Sequence, residues 1–278
     1  MEQQRKDQCI NIEYSISLGL TAEGKLMLSG QDGHWEDVDF CKNYAGYYSE
    51  CRFTAIACGN GTFYAAGVDM AGRPHLFTSL MGSVWSETKL IDIQGQRQAE
   101  GKVVCILYDK TDDQIYLLCE NGDLITVPDC MRCIRIRQVT DKQVIGGSME
   151  GRDISVWCRD GSRVKIPMSA ARQYRASAEY IAEQFGKARG YLVDFRHSQT
   201  GVAETALKES LPGALRESVL SGEGEYAGMD YAGFREWLGS IPQLTVLAFI
   251  CESGVLAEEA ALYARRLGWR RAYALHFG

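Results

Sequence analysis

One cysteine stands where a nucleophile could work. Cys251 closes the short apolar run Val246–Ile250, whose β-branched and aromatic residues read as a buried strand. Ser253 and Gly254 follow and can turn tightly. From Ala257 to Leu267 the chain is made of strong helix formers. The order strand, cysteine, turn, helix aims the sulfur at a helix N-terminus. Backbone N–H groups and the positive end of the helix dipole converge there and favour a thiolate. The same residue also fits a small apolar group buried at a strand end, as free cysteines often are.

Other polar residues offer weaker chemistry. Cys130 and Cys133 have the spacing of half a zinc site, but a structural zinc needs four ligands and no second Cys-x2-Cys or His pair exists. Asp109, Asp112 and Asp113 cluster in one turn that lacks the ligand count of a calcium loop and reads as a solvated hairpin tip. His34 and His75 read as turn or solvated groups. Gly222, Gly224 and Gly228 mark a flexible loop whose acidic neighbours would repel phosphate. No metal and no cofactor is called for.

The elements that must position Cys251 lie in the last third of the chain. Met168–Arg189 is rich in Ala, Glu, Gln and Arg, with apolar residues at helical spacing, and reads as a helix. Tyr191–Arg196 reads as a buried strand, Leu211–Ala214 as a turn, Tyr231–Leu238 as a helix and Ala272–His276 as a final strand. Strands alternating with helices predict a parallel sheet covered on both faces. Ligands of such sheets bind beyond the carboxyl ends of the strands. Asp194, Arg196 and Cys251 all fall at such ends and are expected to share one rim; His197 and Arg216 could reach it but read as solvated surface residues.

The first part, up to Pro167, has an all-β texture. Turn dipeptides ending in Gly recur before short strands at Glu23-Gly24, Asn60-Gly61, Asn121-Gly122 and Asp160-Gly161. The spacing is roughly 40 residues, the period of propeller blades. Units at 14–40, 52–91, 102–139 and 141–167 are expected. They could form a propeller-like or partial-propeller array of about four β-units, or a two-sheet sandwich. The fold class is therefore two-domain: an all-β repeat domain over 1–167 and an α/β domain with a parallel sheet over 168–278. The β-domain reads as a recognition platform whose loops bind a protein partner.

Composition narrows the classes. The net charge of −6, with no basic run, argues against nucleic acid. No apolar segment approaches the length of a membrane span. Met1–Gln8 has no apolar core, so a cytoplasmic protein is expected. Ten cysteines without an export signal point to core thiols rather than disulfides.

Residues 168–278 resemble the rhodanese-like domain, a sulfurtransferase module. Val193-Asp194-Phe195-Arg196 resembles that family's early Val-Asp-x-Arg strand end. Leu211-Pro212-Gly213-Ala214 resembles its Ile-Pro-Gly-Ala turn, and Cys251-Glu252-Ser253-Gly254 its active-site start Cys-x-x-Gly. Gly268-Trp269 with Ala272–Leu275 resembles its terminal strand. The resemblance implies a catalytic Cys251 that carries sulfur as a persulfide inside a loop formed by Glu252, Ser253, Gly254, Val255 and Leu256. Asp194 and Arg196 would brace the loop. The implied partner is a small sulfur donor or a persulfide-carrying protein. The loop departs from the family pattern at Leu256 and Ala257, where Arg and Ser are frequent, and Glu252 sets a negative charge beside the sulfur. These departures suit the alternative: a non-catalytic interaction or scaffold protein with a degenerate rhodanese-like module.

Overall fold

The computed structural model of the chain describes residues 5–11, 14–38, 51–91, 97–110, 113–129, 132–151, 153–168, 174–195, 215–218, 231–251 and 254–275. Arg196, His197, the Leu211–Ala214 turn, the Gly222–Gly228 loop, Glu252, Ser253, Asp112 and Cys130 lie outside the described residues. The chain divides into two compact units, Met1–Ala171 and Arg172–Gly278.

The first unit holds four antiparallel sheets that follow one another along the chain, each ordered as its strands occur in sequence. Sheet one contains β1 (Arg5–Asn11), β2 (Ile16–Thr21), β3 (Leu26–Ser29) and β4 (Trp35–Asp37). Sheet two contains β5 (Arg52–Gly59), β6 (Thr62–Val68), β7 (Pro74–Ser79) and β8 (Ser86–Thr88). Sheet three contains β9 (Val103–Asp109), β10 (Gln114–Cys119), β11 (Asp123–Asp129) and β12 (Arg132–Gln138). Sheet four contains β13 (Val144–Glu150), β14 (Asp153–Cys158) and β15 (Arg163–Pro167). Four separate sheets exclude the two-sheet sandwich.

The turn signals act as their chemistry requires. Asn60 and Gly61 join β5 to β6 with φ of 44° and 68°, the pair of positive angles that a two-residue hairpin needs. At Gly122 (φ 84°) a Cβ would be driven into the Thr140 carbonyl, so two separate constraints demand glycine.

Alternation within strands builds three cores between four layers. Leu18, Leu20, Phe63 and Phe77 fill the space between sheets one and two. Ala66, Leu76, Ile106 and Leu117 fill the next. Leu107, Tyr116, Leu118, Ile154 and Val156 fill the last. Because β9 and β10 feed cores on both sides, their runs are almost continuously apolar rather than alternating. The first strands of successive sheets pack in order, β1 on β5, β5 on β9 and β9 on β13. Side chains staple these neighbours. Asn11 Nδ2 donates to the Gly61 and Leu80 carbonyls at 2.5 and 3.1 Å, Thr54 Oγ1 to Val103 O at 2.6 Å, and Cys105 Sγ to Gly147 O at 3.1 Å.

β1 corrects the expected first unit, which was placed at 14–40. Its sequence, Arg-Lys-Asp-Gln-Cys-Ile-Asn, has neither apolar alternation nor a turn signal. It is a strand because β2 offers it a full antiparallel ladder.

The second unit is a five-stranded parallel sheet ordered β16 (Arg175–Ala176), β20 (Ala272–Leu275), β19 (Val246–Ile250), β17 (Gly190–Asp194) and β18 (Leu215–Ser218). Among the described residues its helices are α1 (Ala178–Lys187), α2 (Tyr231–Gly239) and α3 (Val255–Arg266). Val246, Ala248 and Ile250 face a core that includes Ile181 of α1. On the other face Phe249 meets Phe195 and Phe234, and Phe234 meets Tyr263 of α3. Helices therefore cover both faces, which is why the five residues of β19 are all buried. The expected helix over 168–189 is corrected. Arg175 and Ala176 pair with β20 as an edge strand, and the helix begins only after Ser177, whose hydroxyl caps it by accepting from Tyr180 N–H.

Candidate functional site

Strand order fixes where this sheet can bind. From β17 the chain moves outward to β18; from β19 it moves the opposite way to β20. The carboxyl ends of the neighbours β17 and β19 therefore flank the topological switch point, where diverging connections leave a crevice. Asp194 ends β17 opposite Ile250, and Phe195 N–H donates to Ile250 O at 2.8 Å. Cys251 is the next residue after Ile250. The sheet thus brings Asp194 and Cys251 to adjacent strand ends, with Asp194 buried and Cys251 half-buried.

The loop after Cys251 folds back on the sulfur. Gly254, at φ 77°, turns the chain into α3, and Glu258 N–H donates to Gly254 O at 3.0 Å to open the helix. Ala257 N–H, in the first turn, donates to Cys251 Sγ at 3.3 Å. A backbone donor and the N-terminal end of a twelve-residue helix thus meet one sulfur. Val255 and Leu256 are half-buried and bring no charge to the loop, and Ala257 is fully buried.

The thiols of the first unit contrast with this. Burial pushes those of Cys9, Cys51 and Cys119 up to about 12 and that of Cys105 to about 11. These thiols stay protonated and unreactive at neutral pH. Cys133 and Cys158 are buried as well. No group of three or more His, Cys, Asp or Glu among the described residues is arranged to hold a metal ion. Asp113 instead accepts from the Tyr108 hydroxyl at 2.8 Å and from Asn60 Nδ2 at 2.6 Å, while Asp109 is buried.

Two polar clusters escaped the sequence reading. Arg175 Nε lies 2.7 Å from Glu258 Oε1, with both side chains about one-tenth exposed. This ion pair ties the edge strand β16 to the first turn of α3. Glu258 sits in a run of strong helix formers and Arg175 in a stretch that reads as helix, so no sequence signal pairs them. In the first unit His75 sits between Glu87 Oε1 (2.7 Å from Nδ1) and Asp69 Oδ2 (3.5 Å from Nε2). The hydrogen bond to Glu87, joined by the nearby Asp69 carboxylate, raises the His75 pKa against the opposing effect of burial. Glu87 pairs with Phe77, and His75, two residues earlier on the same face of β7, lies on the diagonal from it, which only the register reveals.

No family model matches the sequence, and no curated protein is significantly similar to it. Three solved structures resemble part of the fold. A chain of a nidogen/laminin complex aligns at 10% identity over 60% of this chain and 61% of its own, with a TM-score of 0.45. The computationally designed Ika4 protein aligns at 13% over 60% of this chain and 92% of its own (TM-score 0.40), and the designed Ika8 protein at 14% over 57% and 45% (TM-score 0.38). The chain spans about three fifths of the length of the nidogen/laminin chain.

Proposed function

We propose that the second unit is a rhodanese-like sulfur carrier in which Cys251 holds sulfane sulfur as a persulfide. The observation that carries this reading is the hydrogen bond from Ala257 N–H to Cys251 Sγ at the switch point of the parallel sheet. The thiolate of Cys251 attacks the outer sulfur of a donor persulfide. A new S–S bond forms on Cys251 as the donor's S–S bond breaks, and the donor leaves as a thiolate. The electron pair of the broken bond goes with it, so the exchange needs no external oxidant or reductant. An acceptor thiolate then removes the outer sulfur by the same displacement. Ala257 N–H and the helix dipole stabilise the anionic sulfur before and after each displacement.

Loop composition selects the donor. Glu252 adds a negative charge and neither Leu256 nor Ala257 supplies a cation, so a dianion such as thiosulfate is repelled. A persulfide presented by a protein or by cysteine avoids that penalty. Loading from a cysteine persulfide is expected to outpace loading from thiosulfate at equal concentration. Equal rates, or faster loading from thiosulfate, would contradict this assignment of the donor.

A second reading rests on the same departures. With Leu256 and Ala257 in place of polar loop groups, the unit can serve as a non-catalytic interaction module. In both readings the four stacked sheets act as a propeller-like recognition platform, supported by their equal strand order and by the side-by-side packing of their first strands.

A further inference from the structure

Sheets two and three do not close completely on each other. A cleft of about 630 Å³ lies between the outer strands of sheet two and the β10–β11 hairpin. That volume is within the range of small-molecule sites. Ile115 and Val127, paired across β10 and β11, form an apolar wall. Leu80, Met81 and Val84, from the loop between β7 and β8, line the same cleft and are each more than half exposed. Three large apolar side chains held in water within one six-residue loop expose surface that a bound apolar group would cover.

The polar groups of the cleft are few and specific. Thr88 lies in the opposite wall, is 1% exposed, and its hydroxyl has no hydrogen-bond partner. A buried hydroxyl left unpaired loses its hydrogen bonds to water without replacement. A ligand's polar atom would supply that replacement. Asp113 lines the cleft and is exposed. Its two carboxylate oxygens are oriented by the Tyr108 hydroxyl and Asn60 Nδ2, both neutral donors, and no ion pair joins it to a Lys or Arg among the described residues. Asp113 is thus a fixed, uncompensated negative charge beside an apolar wall and a hydroxyl in need of a partner.

We propose that this cleft binds a small organic cation: an amine with an apolar body. The ammonium pairs with Asp113, the body packs on Ile115 and Val127 beneath the Leu80–Val84 loop, and a polar atom of the ligand meets the Thr88 hydroxyl. This proposal does not depend on the chemistry of Cys251.

The full chain, labelled at Ile, Leu, Val and Met methyl groups, would be titrated by NMR with phenethylamine, 2-phenylethanol and 3-phenylpropanoate. The amine is expected to give saturable shifts at Leu80, Met81, Val84, Ile115 and Val127. It should bind about tenfold more tightly than the alcohol, with the carboxylate weakest, because a hydrogen bond to a charged partner has that order of effect. Asp113→Asn should erase the preference for the amine over the alcohol. Thr88→Val, which keeps the side-chain volume, should leave the unliganded fold intact, since the hydroxyl it removes has no partner. Methyl signals of first-unit core residues away from the cleft, Leu18, Leu20, Ile154 and Val156, report whether each variant is folded. Equal affinity for amine and alcohol, an amine preference that survives in folded Asp113→Asn, or no saturable shift at these methyls with any of the three compounds would overturn the proposal.

Discussion

A thiol that accepts a backbone N–H at a strand end differs physically from one sealed within a sheet core. Cys251 has such a donor in Ala257; in the first unit burial raises the pKa of the Cys9, Cys51, Cys105 and Cys119 thiols. His75 shows the opposite use of partial burial. Its ring lies between the carboxylates of Glu87 and Asp69, which favour the imidazolium and raise its pKa above the ordinary 6.5. A raised folded-state pKa gives stabilisation that is complete below the unfolded value and disappears as pH rises through the folded value. His75→Gln should therefore cost on the order of 1 kcal/mol more at about pH 6 than at about pH 9. Denaturant titrations of both proteins at the two pH values check this, and a cost independent of pH would contradict it. Asp69, lowered chiefly by the Arg73 backbone N–H, acts in the acid range and leaves that window clear. Nearby Cys51, pushed up by burial and by these same carboxylates, stays neutral across it.

Between elements, the buried pair Arg175–Glu258 fastens β16 to the start of α3, the helix whose first turn contacts Cys251. Removing one partner strands the other charge in the interior. Glu258→Ala should destabilise the second unit by about 3 kcal/mol, and the double variant Arg175→Met/Glu258→Leu by clearly less. Unfolding followed by Trp237 and Trp269 fluorescence measures both; a double variant as damaged as the single one would contradict this account. Here the limits of the sequence are also physical. β19 and α3 were legible because an apolar run, a glycine turn and helix formers agree locally. β16 was not, because two residues become a strand only through their ladder to β20, and β1 was not, because β2 supplies what its own side chains lack. Asp194 and Cys251 could be assigned to one rim from strand ends alone, but the switch point needed the strand order, which no local pattern carries. The cleft was invisible because its walls are brought together by strands from two sheets.

At the scale of the chain, each unit owns its hydrophobic cores. Those between the four sheets draw only on residues of Met1–Ala171, and the α1 face of the parallel sheet only on Arg172–Gly278. A unit with its own core could in principle fold alone. The fragment Arg172–Gly278 is expected to unfold cooperatively in urea; a gradual, non-cooperative loss of structure would contradict the division. The sulfur-carrier reading makes the sharpest demand. The full chain is mixed with a cysteine persulfide donor, and the intact mass is read for it and for Cys251→Ser. The account predicts a gain of one sulfur atom in the native chain and none in the folded variant. A native chain that gains nothing, or a variant that gains as much, would contradict it.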